Sequence, residues 1–263
     1  MKKITPIILL LFYSLFVKAQ DKTLFEKQLF IMGEDTLLCR ILTPLGFSPT
    51  KKYPLVIFLH GSGERGDDNE KQLVWGADLF LDSVNRSRYP AIVLFPQCPI
   101  NESWSNNLRT DIKDSLGGFR PDTIAKARNP MHLLLHFIDT LAASGGIDKQ
   151  RIYVGGLSMG GFGTFEILWR RPDLFAAAFP ICGGGSPEKV NRYAPKLPIW
   201  VFHGDADQIV PASNSRIMVD ALKKAKMSVT YTEYAGVNHD SWKNAFAEPR
   251  LLEWLFSQKK KGK

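Results

Sequence analysis

The stretch RIYVGGLSMGG, residues 151–161, decides how the rest of the chain is read. Arg151 to Gly155 is a short apolar run with Ile, Tyr and Val in succession, the signature of a strand covered on both faces. Gly161 to Arg170 follows with the periodicity of an apolar helix that stops at Pro172. Between them, Gly156-Leu157-Ser158-Met159-Gly160 matches G-x-S-x-G. A serine in this context stands on a sharp strand-to-helix turn, with its hydroxyl presented at the end of the sheet. The flanking positions must be glycine because a Cβ there would meet the neighbouring helix and strand. The helix N-terminus behind Ser158 favours negative charge developing beside it. Five residues of pattern are common; the strand before and the helix after make Ser158 the candidate nucleophile.

The same strand signature recurs at Leu55 to Leu59, Ala91 to Phe95, Ala176 to Ile181, Ile199 to Phe202 and Val229 to Tyr234. Helical patterns lie between these runs, at Glu70 to Asn85, Pro130 to Ser144, Ser213 to Lys226 and Trp242 to Ser257. Such alternation predicts an α/β architecture, a mainly parallel sheet with helices on both faces. Thr23 to Ile31 and Thr36 to Leu42, joined by a turn at Met32-Gly33-Glu34-Asp35, add an antiparallel hairpin at one edge. Gln97 to Asp122 is polar and punctuated by Gly and Pro, and loops of that length are often functional. There is no internal repeat and no linker, so residues 21–263 are read as one domain.

A serine hydroxyl needs a base to take its proton and an acid to orient that base. Only two histidines follow Ser158. His203 ends a strand and is expected to orient the loop behind it. His239 lies in the polar loop Gly236-Val237-Asn238-His239-Asp240, just before the last helical pattern, where a mobile base belongs. The acid should follow the strand that ends at Phe202. Asp205 and Asp207 both qualify: Asp205 follows the turn glycine and can hold the loop, while Asp207 has more reach. The residues alone leave the two open. For the oxyanion, the Met159 N–H directly after the nucleophile is one donor, and the Ser62 N–H in His60-Gly61-Ser62-Gly63 is the candidate second.

HGSGERG at 60–66, DKQRIYVGGLSMGG at 148–161, HGDADQIVP at 203–211 and GVNHDSW at 236–242 occur in that order. Together they resemble the secreted esterases of the α/β-hydrolase superfamily. The resemblance is to the feruloyl and acetylxylan esterase and polyhydroxybutyrate depolymerase-like group, which includes predicted peptidases and phospholipase/carboxylesterase-like proteins. It runs from about Pro54 to Phe256. It implies the α/β-hydrolase fold, a Ser-His-Asp triad, and neither metal nor organic cofactor. It also favours Asp207 as the acid and leaves Asp205 structural. Substrate is not fixed by the resemblance, because group members act on different acyl groups. Trp104, in the polar loop, and Trp242, after His239, are candidates to stack on a sugar or an aromatic acyl group. Arg65 is expected to pair with Glu64 and hold the oxyanion loop, with a substrate carboxylate as its other candidate partner.

Residues 1–20 read as a leader: Lys2 and Lys3, an apolar run from Ile7 to Val17, and small residues at Val17 and Ala19. Cleavage after Ala19 or Gln20 and a periplasmic or extracellular location are expected. The run is short of the ~20 apolar residues a membrane span needs. Net charge is +8. Without Lys2, Lys3 and Lys18 it is +5, and Lys259, Lys260, Lys261 and Lys263 carry four of those charges, so the folded body is nearly neutral. That argues against a nucleic-acid partner and for a frayed basic tail over 258–263. The odd number of cysteines, Cys39, Cys98 and Cys182, allows at most one internal bridge. Cys39 and Cys182 are placed as core residues. No C-x-x-C or H-E-x-x-H spacing points to a metal.

The leading expectation is a secreted serine carboxylic-ester hydrolase acting on acyl esters of plant polysaccharides. A peptidase with the same triad is one alternative, and a non-catalytic binding protein on this fold is another.

Overall fold

The computed structural model describes residues 20–105, 130–193 and 197–260. The expected leader, apart from Gln20, and residues 106–122 of the irregular stretch lie outside the described residues, as does the end of the basic tail.

The strands are Glu26–Met32 (β1), Asp35–Leu42 (β2), Tyr53–Leu59 (β3), Ile92–Gln97 (β4), Ile147–Leu157 (β5), Ala177–Ile181 (β6), Ile199–Gly204 (β7) and Val229–Tyr234 (β8). They form one sheet in the order β1-β2-β4-β3-β5-β6-β7-β8. β1 and β2 pair antiparallel, as do β2 and β4, and every pairing from β4 to β8 is parallel. This is the α/β-hydrolase fold, with the expected hairpin at one edge. The helices are Ala77–Leu81 (α1), Ser83–Arg88 (α2), Pro130–Ala143 (α3), Met159–Arg170 (α4), Ser213–Lys224 (α5), Trp242–Phe246 (α6) and Leu251–Ser257 (α7). No described helix is long and apolar enough to cross a membrane.

β3 shows why the sheet has two covers. Leu55, Ile57 and Leu59 face one core with α3, α4 and α5 side chains, while Val56 and Phe58 face the other with α1 and α7. Every residue of β3 is buried, as a strand between two helical layers requires. Each large side chain removed from water in this way stabilises the fold by ~1.5–3 kcal/mol.

Two of the expected helices are broken. Glu70 to Asn85 is not continuous. A 3-10 turn at Lys71–Leu73 comes first, and Gly76 then takes a left-handed φ of 84° that no helix interior accommodates. Asp82 swings to an extended ψ of 128° and caps α2 by accepting from Asn85 N–H at 2.9 Å. Trp242 to Ser257 is interrupted at Pro249, whose ring and missing N–H end one helix before α7 begins. The described part of the tail, 258–260, is not frayed: the Lys260 amide donates to Gln150 O at 2.9 Å, and Gln258 O accepts from Tyr153 Oη at 2.7 Å. Cys39, Cys98 and Cys182 are all buried free thiols.

The loops that carry the sequence motifs leave the sheet at the carboxyl ends of β3, β5, β7 and β8. In open α/β sheets this is the edge at which ligands bind.

Candidate active site

Ser158 has φ 52° and ψ −117°, a sparsely populated conformation for a residue with a Cβ. Three contacts hold it there. Its N–H donates to Ile181 O of β6 at 2.9 Å, and its C=O accepts from Phe162 N–H in the first turn of α4 at 3.1 Å. Gly160 lets α4 close onto β3: a Cβ there would fall 1.9 Å from Leu59 O. β5 and α4 are thereby drawn so near that the hydroxyl is turned out of the bend.

The Ser158 Oγ lies 2.9 Å from His239 Nε2, and His239 Nδ1 lies 2.7 Å from Asp207 Oδ2. Ser158, His239 and Asp207 therefore form one hydrogen-bonded file, built from the ends of β5, β7 and β8. With Nδ1 bonded to a carboxylate, the ring carries its proton at Nδ1 and offers Nε2 to the serine. Asp207 also accepts from the Ile209 and Val210 amides at 2.9 and 2.8 Å. Burial raises its pKa, but the bonds from His203, His239 and the Val210 amide outweigh burial and hold it well below the usual carboxylate range. Asp205 does not reach His239. Its carboxylate accepts from Gly236 N–H at 2.7 Å and fixes the base of the loop that carries His239.

His203 is fully buried with Nε2 2.8 Å from Val210 O and 3.2 Å from Asp207 Oδ2. Two acceptors at Nε2 place a proton there, and Nδ1 lies 2.7 Å from Ser215 Oγ, whose hydroxyl donates to Gly183 O at 3.0 Å. His203 thus holds the acid loop in position.

The glycine loop after β3 is held by groups that sequence reasoning did not assign. His60 Nε2 accepts from Cys98 N–H at 2.9 Å, which leaves Nδ1–H to donate to Gly61 O at 2.6 Å. Burial pushes the His60 pKa down to about 4, so the ring stays neutral. Gln97 joins the next turn: its Oε1 accepts from Asn69 N–H at 2.7 Å and its Nε2 donates to Asp68 at 2.8 Å. Ser62 N–H and the Met159 N–H at the first position of α4 donate no hydrogen bond among the described residues. Orphan amides of this kind at a helix start suit an anion.

Two expectations need correcting. Trp104 is fully buried, its ring edge-on to His60 at 5.4 Å and its Cβ against Gly163, so it packs the core and offers no stacking surface. Arg65 forms no ion pair with Glu64, and its guanidinium faces backbone: Nε donates to Ser62 O at 3.0 Å and Nη1 to Glu102 O at 3.5 Å. That contact braces the glycine loop after β3. Glu64 instead lies toward Ser158, its Oε2 3.1 Å from where a Gly61 Cβ would be. Burial raises its pKa, opposed by the Gly61 amide and the Trp75 indole N–H.

Trp242 stands edge-on to His239 at 5.5 Å and against Trp75 at 5.6 Å, so two indoles wall one side of the base. Trp75 sits in the span misread as continuous helix. Cys182, with φ 39°, brings a buried thiol to within 4.8 Å of the Asp207 and His239 ligand atoms. Burial pushes this thiol well above its usual pKa, and His239 and Asp207 already bond to each other. The thiol packs beside the bonded His239–Asp207 pair.

The profile of the phospholipase/carboxylesterase family matches residues 48–249. Lysophospholipase-like protein 1 of Mus musculus is 27% identical over 222 residues, covering 80% of this chain and 90% of its own. Poly(3-hydroxyalkanoate) depolymerase C of Paucimonas lemoignei is 26% identical over 216 residues, 70% of this chain but 46% of its own. Among solved structures, a thermostable esterase superposes with a TM-score of 0.79 at 39% identity, over 90% of this chain and 63% of that one.

Proposed function

The chain belongs to the phospholipase/carboxylesterase family of α/β-hydrolases, and from that premise we propose that it hydrolyses carboxylic esters through an acyl-enzyme on Ser158. The carrying observation is the unbroken file from Ser158 Oγ through His239 to Asp207, with contacts of 2.9 and 2.7 Å.

In this reading Ser158 Oγ attacks the ester carbonyl while His239 Nε2 takes its proton. Asp207 holds the ring in the required tautomer and stabilises the imidazolium. The carbonyl oxygen, now an anion, is received by the Ser62 and Met159 amides. His239 returns the proton to the departing alcohol. Water then attacks the acyl-serine, gives a proton to His239, and the acid leaves as Ser158 recovers its hydrogen. No step needs a metal or an organic cofactor.

The proposed substrates are feruloyl or acetyl esters of plant polysaccharides, met outside the cytoplasm. The leader-like residues 1–20 support the setting, and the Trp75–Trp242 wall beside His239 supports a flat acyl group or a sugar ring. Methyl ferulate, acetylated xylan and p-nitrophenyl acetate, tested on wild type and Ser158→Ala, decide the matter. The variant should lose at least about 10⁴-fold in kcat and should no longer be labelled by a fluorophosphonate. Equal turnover by the two proteins would overturn the mechanism. Turnover of p-nitrophenyl acetate alone would overturn the substrate class and leave the mechanism standing.

A further inference from the structure

A second cluster of titratable side chains lies on α3, away from Ser158. Met131, Leu134, Phe137 and Ile138 are buried and fix the helix's rotation against the sheet. His132 and His136, one turn apart, are exposed on the opposite face. Their rings stack with centroids 4.5 Å apart, and their Nε2 atoms are 3.0 Å apart. Side chains at i and i+4 share a helix face, which is why two histidines at this spacing serve as paired metal ligands.

The separation of the two nitrogens has chemical meaning. With metal–nitrogen bonds of about 2.0–2.1 Å, two neighbouring ligands are about 3.3 Å apart in a tetrahedral site and about 2.8–2.9 Å apart in a square-planar one. The observed 3.0 Å, a hydrogen bond between the two stacked rings, falls between them, so a metal takes the place of the shared proton once the rings turn to aim both Nε2 atoms at one point. The backbone is already held: Thr140 Oγ1 donates to His136 O at 3.0 Å, and Arg171 grips Asp139 on the next turn with contacts of 2.7 and 3.0 Å. A chelate on a fixed helix forfeits little conformational freedom on binding.

We propose that His132 and His136 form a two-point chelate for a divalent transition-metal ion on the outer face of α3, separate from the hydrolytic site. Imidazole ligands select borderline metals, so Cu²⁺ binds tightest, Ni²⁺ and Zn²⁺ less tightly, and Mg²⁺ not at all. Binding to the folded protein raises the melting temperature, because one ion then spans the first turns of α3.

The test uses protein free of any histidine tag. CuCl₂, NiCl₂, ZnCl₂ and MgCl₂ are titrated calorimetrically into wild type, His132→Ala and His136→Ala, and each protein is melted with and without metal. The expected result is Cu²⁺ binding and a rise in Tm for wild type, with affinity at least about tenfold weaker in each variant. Both residues are exposed, so the variants should fold and keep esterase activity. Equal Cu²⁺ affinity in wild type and both variants, or none in wild type, would overturn the proposal.

Discussion

Four donors converge on the Asp207 carboxylate: His239 Nδ1, His203 Nε2 and the amides of Ile209 and Val210. This explains why a buried acid stays ionised beside the base it orients. Asp207→Asn should keep the fold and lose ~10⁴-fold in kcat, because the amide no longer enforces the Nδ1–H tautomer. Its stability cost has a defined pH window. The folded pKa is depressed, so the ionised form contributes stability above the unfolded value of about 3.9 and loses it as pH falls toward the folded one. Chemical denaturation should show the gap between wild type and Asp207→Asn constant at neutral pH and narrowing below about pH 3.9. Glu64 has the opposite sign. Burial raises its folded pKa, so its contribution is present below about pH 4.3 and lost as pH rises through the folded value. Glu64→Gln should therefore gain stability relative to wild type between pH 4 and pH 7. His60→Ala strands the Gly61 carbonyl and the Cys98 amide, at about 1–3 kcal/mol each. It should lower the urea midpoint as well as the rate.

The elements fix how near these groups come to one another. Gly204 ends β7 beneath the loop that carries His239, and a Cβ there would stand 2.1 Å from Val237 O and 2.7 Å from Asn238 O. Gly204→Ala must push that loop outward. A displacement of the base by about an ångström costs ~10²-fold, so kcat should fall by that order while the circular dichroism spectrum is retained. The broken helix before α2 has a functional consequence as well. Because Gly76 turns the chain at φ 84°, Trp75 is carried toward Trp242 and out of the pattern a continuous helix would give it. Helical periodicity reports which residues are apolar and not where a left-handed glycine redirects them, so this wall was not legible beforehand. Trp75→Ala should raise KM about 2- to 10-fold for an aromatic ester and much less for an acetate ester, measured side by side.

Across the whole molecule, one sheet with two apolar faces accounts for both the architecture and the chemistry of the thiols. Cys39, Cys98 and Cys182 are all buried and unbridged, and burial raises the pKa of each. Ellman's reagent should find none of them in the native protein and all of them in guanidinium, and reducing agent should leave the Tm unchanged. The cysteine count had left a bridge open, because pairing depends on Cα separation and side-chain direction, and spacing along the chain reports neither. The α/β order was readable because strands buried on both faces must be apolar throughout. The turn at Ser158 was readable because a strand, two flanking glycines and a helix are local requirements. Asp205 and Asp207 were not separable by local chemistry, since both follow the same strand. The fold separates them by direction: Asp205 turns to Gly236 N–H and Asp207 turns inward to His239. Trp104 and Arg65 illustrate the same limit, one drawn into the core and the other onto a backbone carbonyl. By itself the sequence determined the strand order of chemistry, nucleophile then acid then base, because each sits in a motif its own neighbours define. Only the tertiary structure decided which side chains meet, because contacts between the ends of β3, β5, β7 and β8 depend on loop directions set by packing across the sheet.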